Sequence, residues 1–354
     1  MFAMLFFTVI ILMCTFGVCF SIDFSSVAPG DSLFFKSRIE GEIINANSSS
    51  WEKIIPLSSE PQCRSKCHHS TQCRSAAFYP TDNICKFRDV NRLSPNGVFV
   101  QKAGIKVYDK RTAPITPVII KTVENATDCK DVMNQGHKRS GVYMVSTDVQ
   151  KYVPILCDMD TAGGGWTVIQ QRVDGSIPFN RTWNSYKFGF GDFSTNFWFG
   201  NDRIHNLTTH YGNDNDIIFD LTKHDGTKTN AGYRNFYIDG ESNKYRLHVN
   251  SRYDPDLPDS SYADVTFTQG FGLHDGKIFY TIDADSSLSC SEEKGGSGWW
   301  FANCYKIHLN GIYGLQGSDA GIVWDKVTFI VPSSGGNKVQ HPFIKTRMLV
   351  RRNN

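Results

Sequence analysis

The sequence predicts an α+β chain of two disulfide-stapled domains behind a secretory leader. Three observations carry this: cysteines in two groups of unlike spacing, a Pro-containing stretch between them, and short strand-like runs broken by Gly, Asn and Asp turns. A length of 354 residues suits about two domains.

The segment from Met1 to about Phe20 is a near-continuous apolar run, with no charge before Asp23. Residues 1–21 read as a signal peptide, cut near Cys19 or Ser21. No second apolar run of about 20 residues follows, so no membrane span is expected once the leader is gone. Cys63, Cys67, Cys73, Cys85, Cys129, Cys157, Cys290 and Cys304 remain. An even number in an exported chain argues for disulfides. Sequons at Asn47, Asn125, Asn180 and Asn206 agree with a secreted, extracellular glycoprotein. The net charge of +2 is small for this length, which argues against nucleic acid as a partner. Arg347, Arg351 and Arg352 read as a basic tail of solvated charge.

Four cysteines crowd between Cys63 and Cys85, and the other four form two separated pairs. Between the groups lies Thr112-Ala113-Pro114-Ile115-Thr116-Pro117, which reads as an extended linker. The expected division is 30–110 for the first domain, 111–126 for the linker and 127–354 for the second. In the first, Ser58-Ser59-Glu60-Pro61 signals a helix start. Cys63 and Cys67, four apart, share a helix face. Ala76-Ala77-Phe78-Tyr79 and Ile84-Cys85-Lys86-Phe87 read as strands around the turn Pro80-Thr81-Asp82-Asn83. A helix stapled twice to a hairpin follows. This spacing resembles the PAN/apple domain, whose family pairing implies Cys63–Cys85 and Cys67–Cys73. Such modules bind proteins or sugars. His68-His69 beside Cys67 read as surface histidines rather than as zinc ligands.

The second domain is richer in motifs. Gly163-Gly164-Gly165 is a turn, and Trp166 to Arg172 alternates like a strand. Phe197-Trp198-Phe199-Gly200-Asn201 leads into a helix near Ile204-His205, and Tyr245 to Val249 reads as another strand. With Asp128-Cys129-Lys130-Asp131, Ser140-Gly141-Val142-Tyr143 and Gly298-Trp299-Trp300, this series resembles the fibrinogen C-terminal domain of fibrinogen chains, ficolins and tachylectins. The resemblance implies a twisted antiparallel sheet, short helices, a loop-rich C-terminal lobe, and the pairs Cys129–Cys157 and Cys290–Cys304. These pairs use every mature cysteine. Neither a collagen run nor a heptad array is present, so no oligomerisation stalk is evident.

The loop from Cys290 to Cys304 is the expected recognition surface. Asp283 and Asp285 are candidate calcium ligands, since calcium takes six to eight oxygens. The pair stands one residue nearer the cysteine than in the family, and Ser286-Ser287-Leu288-Ser289 replaces its usual elements. In sugar-binding relatives an acetyl group sits beside a cis peptide before the second loop cysteine. Carried over, that bond is Asn303–Cys304, with the N–H groups of Cys304 and Tyr305 as donors and Tyr305 and Tyr313 as walls. The lining departs from the family: Tyr305 replaces a histidine, Lys294 falls where a ring is usual, and Ser318-Asp319-Ala320 replaces an aromatic. Trp299 and Trp300 read as scaffold.

No Gly-x-Ser-x-Gly elbow, phosphate loop or His-Glu-x-x-His motif is present, so no enzyme is expected. The leading expectation is a secreted, lectin-like protein of innate immunity that binds acetylated or other microbial glycans. The alternative is an extracellular adhesion, signalling or clotting-type protein with protein partners.

Overall fold

The computed structural model describes residues 13–15, 18–20, 35–36, 41–45, 52–57, 59–70, 72–89, 94, 97–101, 105–109, 121–148, 151–223, 225–226, 228–253, 270–284, 290–302, 304, 307–315, 318, 320–324 and 343–353. Asn47 and the whole of the Thr112 to Pro117 stretch lie outside them. No described helix is long and apolar enough to cross a membrane.

In the first domain, helix α1 spans Glu60–His69, with Ser59 at its N-cap and Pro61 in the first turn, where a missing N–H costs nothing. Cys63 and Cys67 lie on its buried face. Cys63 bonds to Cys85 and Cys67 to Cys73. The strands Ser75–Tyr79 and Ile84–Arg88 pair antiparallel across the expected turn. Asn83 takes a positive φ of 51° there. Glu52–Pro56 and Lys106–Asp109 flank this hairpin, and Phe35–Lys36 completes five strands. The disulfides pack with Ala76, Phe78 and Phe87 in a small core. Among the described residues this cluster is small, and the two staples within it reinforce it.

The second domain is a sheet with short helices laid on it. The strand Trp166–Arg172 runs through its middle, between Lys151–Asp158 and Lys345–Arg352. The sheet continues through Asn215–Thr222 and Lys228–Tyr233. Among the described strands of this sheet, the pairing of Lys121–Val123 with Gly141–Asp148 is parallel and the others are antiparallel. The expected alternation of Trp166–Arg172 does not appear: every residue but Gln171 is buried, because the strand is covered on both faces. Of the expected strand Tyr245 to Val249 only Leu247–His248 forms, and Tyr245 turns to a positive φ of 47°.

Two expectations need correction. Residues 121–126, assigned to the linker, fold with the second domain: Lys121–Val123 is a sheet strand, and Val123 and Ala126 are buried in its core. Arg347, Arg351 and Arg352 are not a solvated tail, because they sit on a strand in the middle of the sheet. Arg347 reaches Asp158 at 2.7 Å and Asp220 at 2.6 Å. Arg351 donates to the carbonyls of Ala162 and Gly164 and lies 4.2 Å over the Trp166 ring. Arg352 pairs with Asp128 and Asp131, tying the C-terminal strand to helix α2, Cys129–Asn134.

The two domains also touch. Gly97–Gln101 pairs with Gly41–Asn45 on one side and with Lys151 and Tyr152 on the other. Ala77, Tyr79, Met144 and Tyr152 form a shared apolar cluster, and Arg74 forms an ion pair with Asp192.

Candidate functional site

The Cys290–Cys304 loop packs on a core rich in aromatic rings. The helix α5, Cys290–Glu293, starts at the first cysteine, and the disulfide to Cys304 closes the loop. Between them Trp299 and Trp300 are 0% exposed, so they cannot serve as stacking platforms. Trp299 exchanges both backbone hydrogen bonds with Tyr280. The Trp300 indole N–H donates to the Tyr245 carbonyl at 2.7 Å. Trp198, Phe271 and Phe279 surround Trp300 within 6.5 Å between ring centres. Gly298 is required here because a Cβ would come within 2.7 Å of Phe279 and 2.8 Å of Tyr186.

Buried polar groups hold the loop to the segment after it. Ser291 Oγ donates to the Ser297 carbonyl at 3.0 Å. Ser297 Oγ meets His308 Nε2 at 2.9 Å. His274 Nδ1 lies 2.6 Å from the Trp300 carbonyl, while its Nε2 accepts from the Ile307 N–H at 3.2 Å. These partners define a neutral ring protonated at Nδ1. Burial pushes His274 down to about 4 and His308 to about 3. Asn310 Nδ2 donates to the Gly298 carbonyl, and Gln170 Nε2 donates to Asn310 Oδ1.

Asp283 is exposed, and its Oδ1 accepts from the Trp183 N–H and the Thr281 hydroxyl, both at 2.8 Å. No cluster of three or more metal-binding side chains occurs among the described residues. Asp285, Asn303 and Tyr305 lie outside the described residues, and so does the Asn303–Cys304 peptide bond. Cys304 is partly exposed.

Tyr313, expected as a wall of the loop site, is a partly buried residue packed against the same core as Cys304. Its hydroxyl reaches the carbonyls of Val173 at 3.1 Å and Ile344 at 2.9 Å. Its ring lines a cavity of about 300 Å³ whose described lining includes Arg172, Phe179, Asn180, Ser297 and Ile312 but not Cys304. Arg172 is 2% exposed. Its Nη1 donates to the carbonyls of Leu309 at 3.2 Å and Gly311 at 2.9 Å, and its guanidinium lies 3.9 Å over the Phe179 ring. Burial pushes this guanidinium down to about 10, so it stays cationic at neutral pH. Sequence reasoning missed Arg172. The signal was a charged residue closing a strand that is otherwise neutral.

The sequons differ in setting. Asn125 sits in a turn at φ 53°. Asn180 is exposed at the cavity mouth. Asn206 is an exposed residue of helix α4, Asn201–Thr209.

Comparison with known proteins agrees with this architecture. Residues 125–351 match the family model for fibrinogen beta and gamma chains, C-terminal globular domain, and residues 37–112 match the PAN domain. Human Ficolin-3 is 35% identical over 239 residues, covering 66% of this chain and 73% of that protein. Bovine Fibroleukin is 37% identical over 231 residues, 63% of this chain and 50% of that protein. The match to the human Fibrinogen gamma chain is 34% over 219 residues, 56% of this chain and 48% of that protein. This chain therefore spans about half the length of the last two. Among solved structures, the fibrinogen-like globe domain of human ANGPTL6 superposes with a TM-score of 0.52 at 29% identity, covering 69% of this chain and 100% of that one. Lamprey Fibrin D-Dimer, complexed with the peptide Gly-His-Arg-Pro-amide, superposes with a TM-score of 0.50 at 30% identity, covering 68% and 77%. A motif series spread over the second domain, a matching fold and a matching family model converge: the chain belongs to the fibrinogen C-terminal domain family and carries an N-terminal PAN domain.

Proposed function

We propose that this chain is a secreted, lectin-like recognition protein that binds acetylated or other microbial glycans through the region from Cys290 to Ser318. The match to Ficolin-3 over 73% of its length carries this reading. The rigid frame of the loop supports it. Trp299 and Trp300 in the core and the disulfide from Cys290 to Cys304 anchor the described part of the loop, and a pre-anchored frame reduces the ordering cost of binding. Calcium belongs to the same proposal, held by Asp283 and Asp285. A single shallow sugar site is weak, so binding would rest on several copies presented together. The proposal has no catalytic step: its site residues bind and orient.

A glycan array probed with and without chelator tests the reading. Signal on acetylated sugars that falls with chelator supports it, and flat binding across acetylated sugars and bacterial cell walls ends it.

A second reading is recognition of an extracellular protein or peptide. The lamprey relative complexed with a short peptide favours it, as does the added PAN domain. Pull-down from extracellular fluid with Tyr305→Ala separates the two, since a protein contact centred on the first domain survives that change.

A further inference from the structure

We propose that the cavity beside Arg172 binds a small, ring-bearing carboxylate. Charge is the first argument. The described lining holds one cation and no carboxylate. Arg172 forms no ion pair with a described residue, its Nε is buried without a partner, and Nη1 alone of its nitrogens reaches protein carbonyls. A buried charge is costly unless it is paired. Two carbonyl dipoles, the Phe179 face and the more distant Asp174 carboxylate, itself held by Ser176 and Asn196, offset part of that cost, and a ligand carboxylate would supply the direct counter-charge that Asp174 does not. Arginine's planar fork suits this group, because it presents parallel N–H donors to two oxygens.

Shape is the second argument. About 300 Å³ lies at the small end of ligand cavities, room for one ring and its substituent. Phe179, Tyr313, Ile177 and Pro178 supply apolar walls. Most of the polar lining is already engaged: Ser297 by His308, Asn310 by Gly298 and Gln170, Tyr313 by two carbonyls. The polar side chains left are Arg172 and, at the mouth, Asn180, and of the two only Arg172 is charged. The mouth is apolar too. Ile312 is 46% and Ile282 50% exposed. Ile282 Cδ1 and Asn180 Cβ lie 3.1 and 3.4 Å from where a Cβ on Gly296 would stand, so both border one opening.

This inference goes beyond glycan recognition at Cys304, and either can fail alone. The test uses the full chain with Asn180→Gln, which removes the sequon at the mouth, against Asn180→Trp, which fills the mouth from an exposed position. Phenylacetate and phenylacetamide are titrated by calorimetry, with saturation-transfer NMR as a second readout. Phenylacetate should bind Asn180→Gln at least about tenfold more tightly than the amide, a difference of about 1.4 kcal/mol. Asn180→Trp should lose about tenfold or more in affinity at unchanged melting temperature, and Arg172→Gln should abolish the preference for the acid. Should Arg172→Gln not fold, the Asn180 pair decides. Equal affinity for acid and amide, undiminished binding to Asn180→Trp, or no binding of phenylacetate at millimolar concentration each overturns the proposal. N-acetylglucosamine, neutral and acetylated, is the control that reports on the Cys304 reading separately.

Discussion

Asp283 accepts a hydrogen bond from the backbone N–H of Trp183 at 2.8 Å, across 100 residues of sequence. Trp183 opens helix α3, Trp183–Phe188, and Thr182 Oγ1 serves the Ser185 N–H. Asp283 thus satisfies a first-turn donor that the cap residue leaves open, with its charge at the favourable end of the helix. The carboxylate expected to hold calcium has a structural task of its own.

The two roles separate by measurement. Asp283→Ala should lower unfolding stability by about 1 kcal/mol in the presence of chelator, from the lost hydrogen bonds alone. If Asp283 also holds calcium, the metal should raise the melting temperature of the parent and not of the variant. A parent that does not respond to calcium ends the metal proposal and leaves the capping role intact.

Acid sensitivity should come from two buried histidines before it comes from carboxylates. His274 and His308 are held near 4 and 3 in the folded chain, against about 6.5 when unfolded. Above that value both states bind the same number of protons. As pH falls from 6.5 towards 4, only the unfolded chain takes up protons, so stability drops by about 1.4 kcal/mol per pH unit for each ring. Urea titrations at intervals from pH 7 to pH 4.5 check this. A flat midpoint over that range would show that these rings titrate normally.

The ion pairs of the last strand lead to a mutational prediction. Arg352 and Asp128 are 10% and 7% exposed in their side chains, and Asp128 also caps helix α2 by accepting from the Asp131 N–H at 2.8 Å. Arg352→Met leaves Asp128 buried without its cation, and should cost about 3 kcal/mol. Lys66→Met, at an exposed position of α1, should stay within about 0.5 kcal/mol. Urea midpoints for the two variants make the comparison, and equal losses would contradict the pairing.

These arginines also show what a sequence conceals. Trp166–Arg172 was legible because Gly163 to Gly165 force a turn and β-branched and aromatic residues follow it. The helix and hairpin of the first domain were legible from Ser59, Pro61 and the turn before Ile84. Local signals of that kind survive in one dimension. The partners of Arg347, at Asp158 and Asp220, stand 189 and 127 residues away, and no local pattern announces them. Trp299 and Trp300 were read as scaffold, and their burial agrees. Tyr313 was expected as a wall of the loop site by resemblance; its place beside Arg172 rests on hydroxyl contacts to Val173 and Ile344, 140 and 31 residues away, which no local pattern announces either.

The contact between the domains makes the last prediction. Met144 and Tyr152 belong to the second domain but are 4% and 6% exposed, packed against Ala77 and Tyr79 of the first. Separating the domains would expose both at a cost of about 1.5–3 kcal/mol for each side chain, besides breaking the strand pairing at Lys151 and Tyr152. The Arg74–Asp192 pair adds little, because it is partly solvated. That sum is comparable with the stability of a small domain, so the first domain should not melt ahead of the second. Calorimetry of the full chain should show a single transition. Substituting Tyr152→Ser should split it in two, the first domain unfolding at the lower temperature. Two resolved transitions in the parent would mean that the contact is too weak to couple the domains.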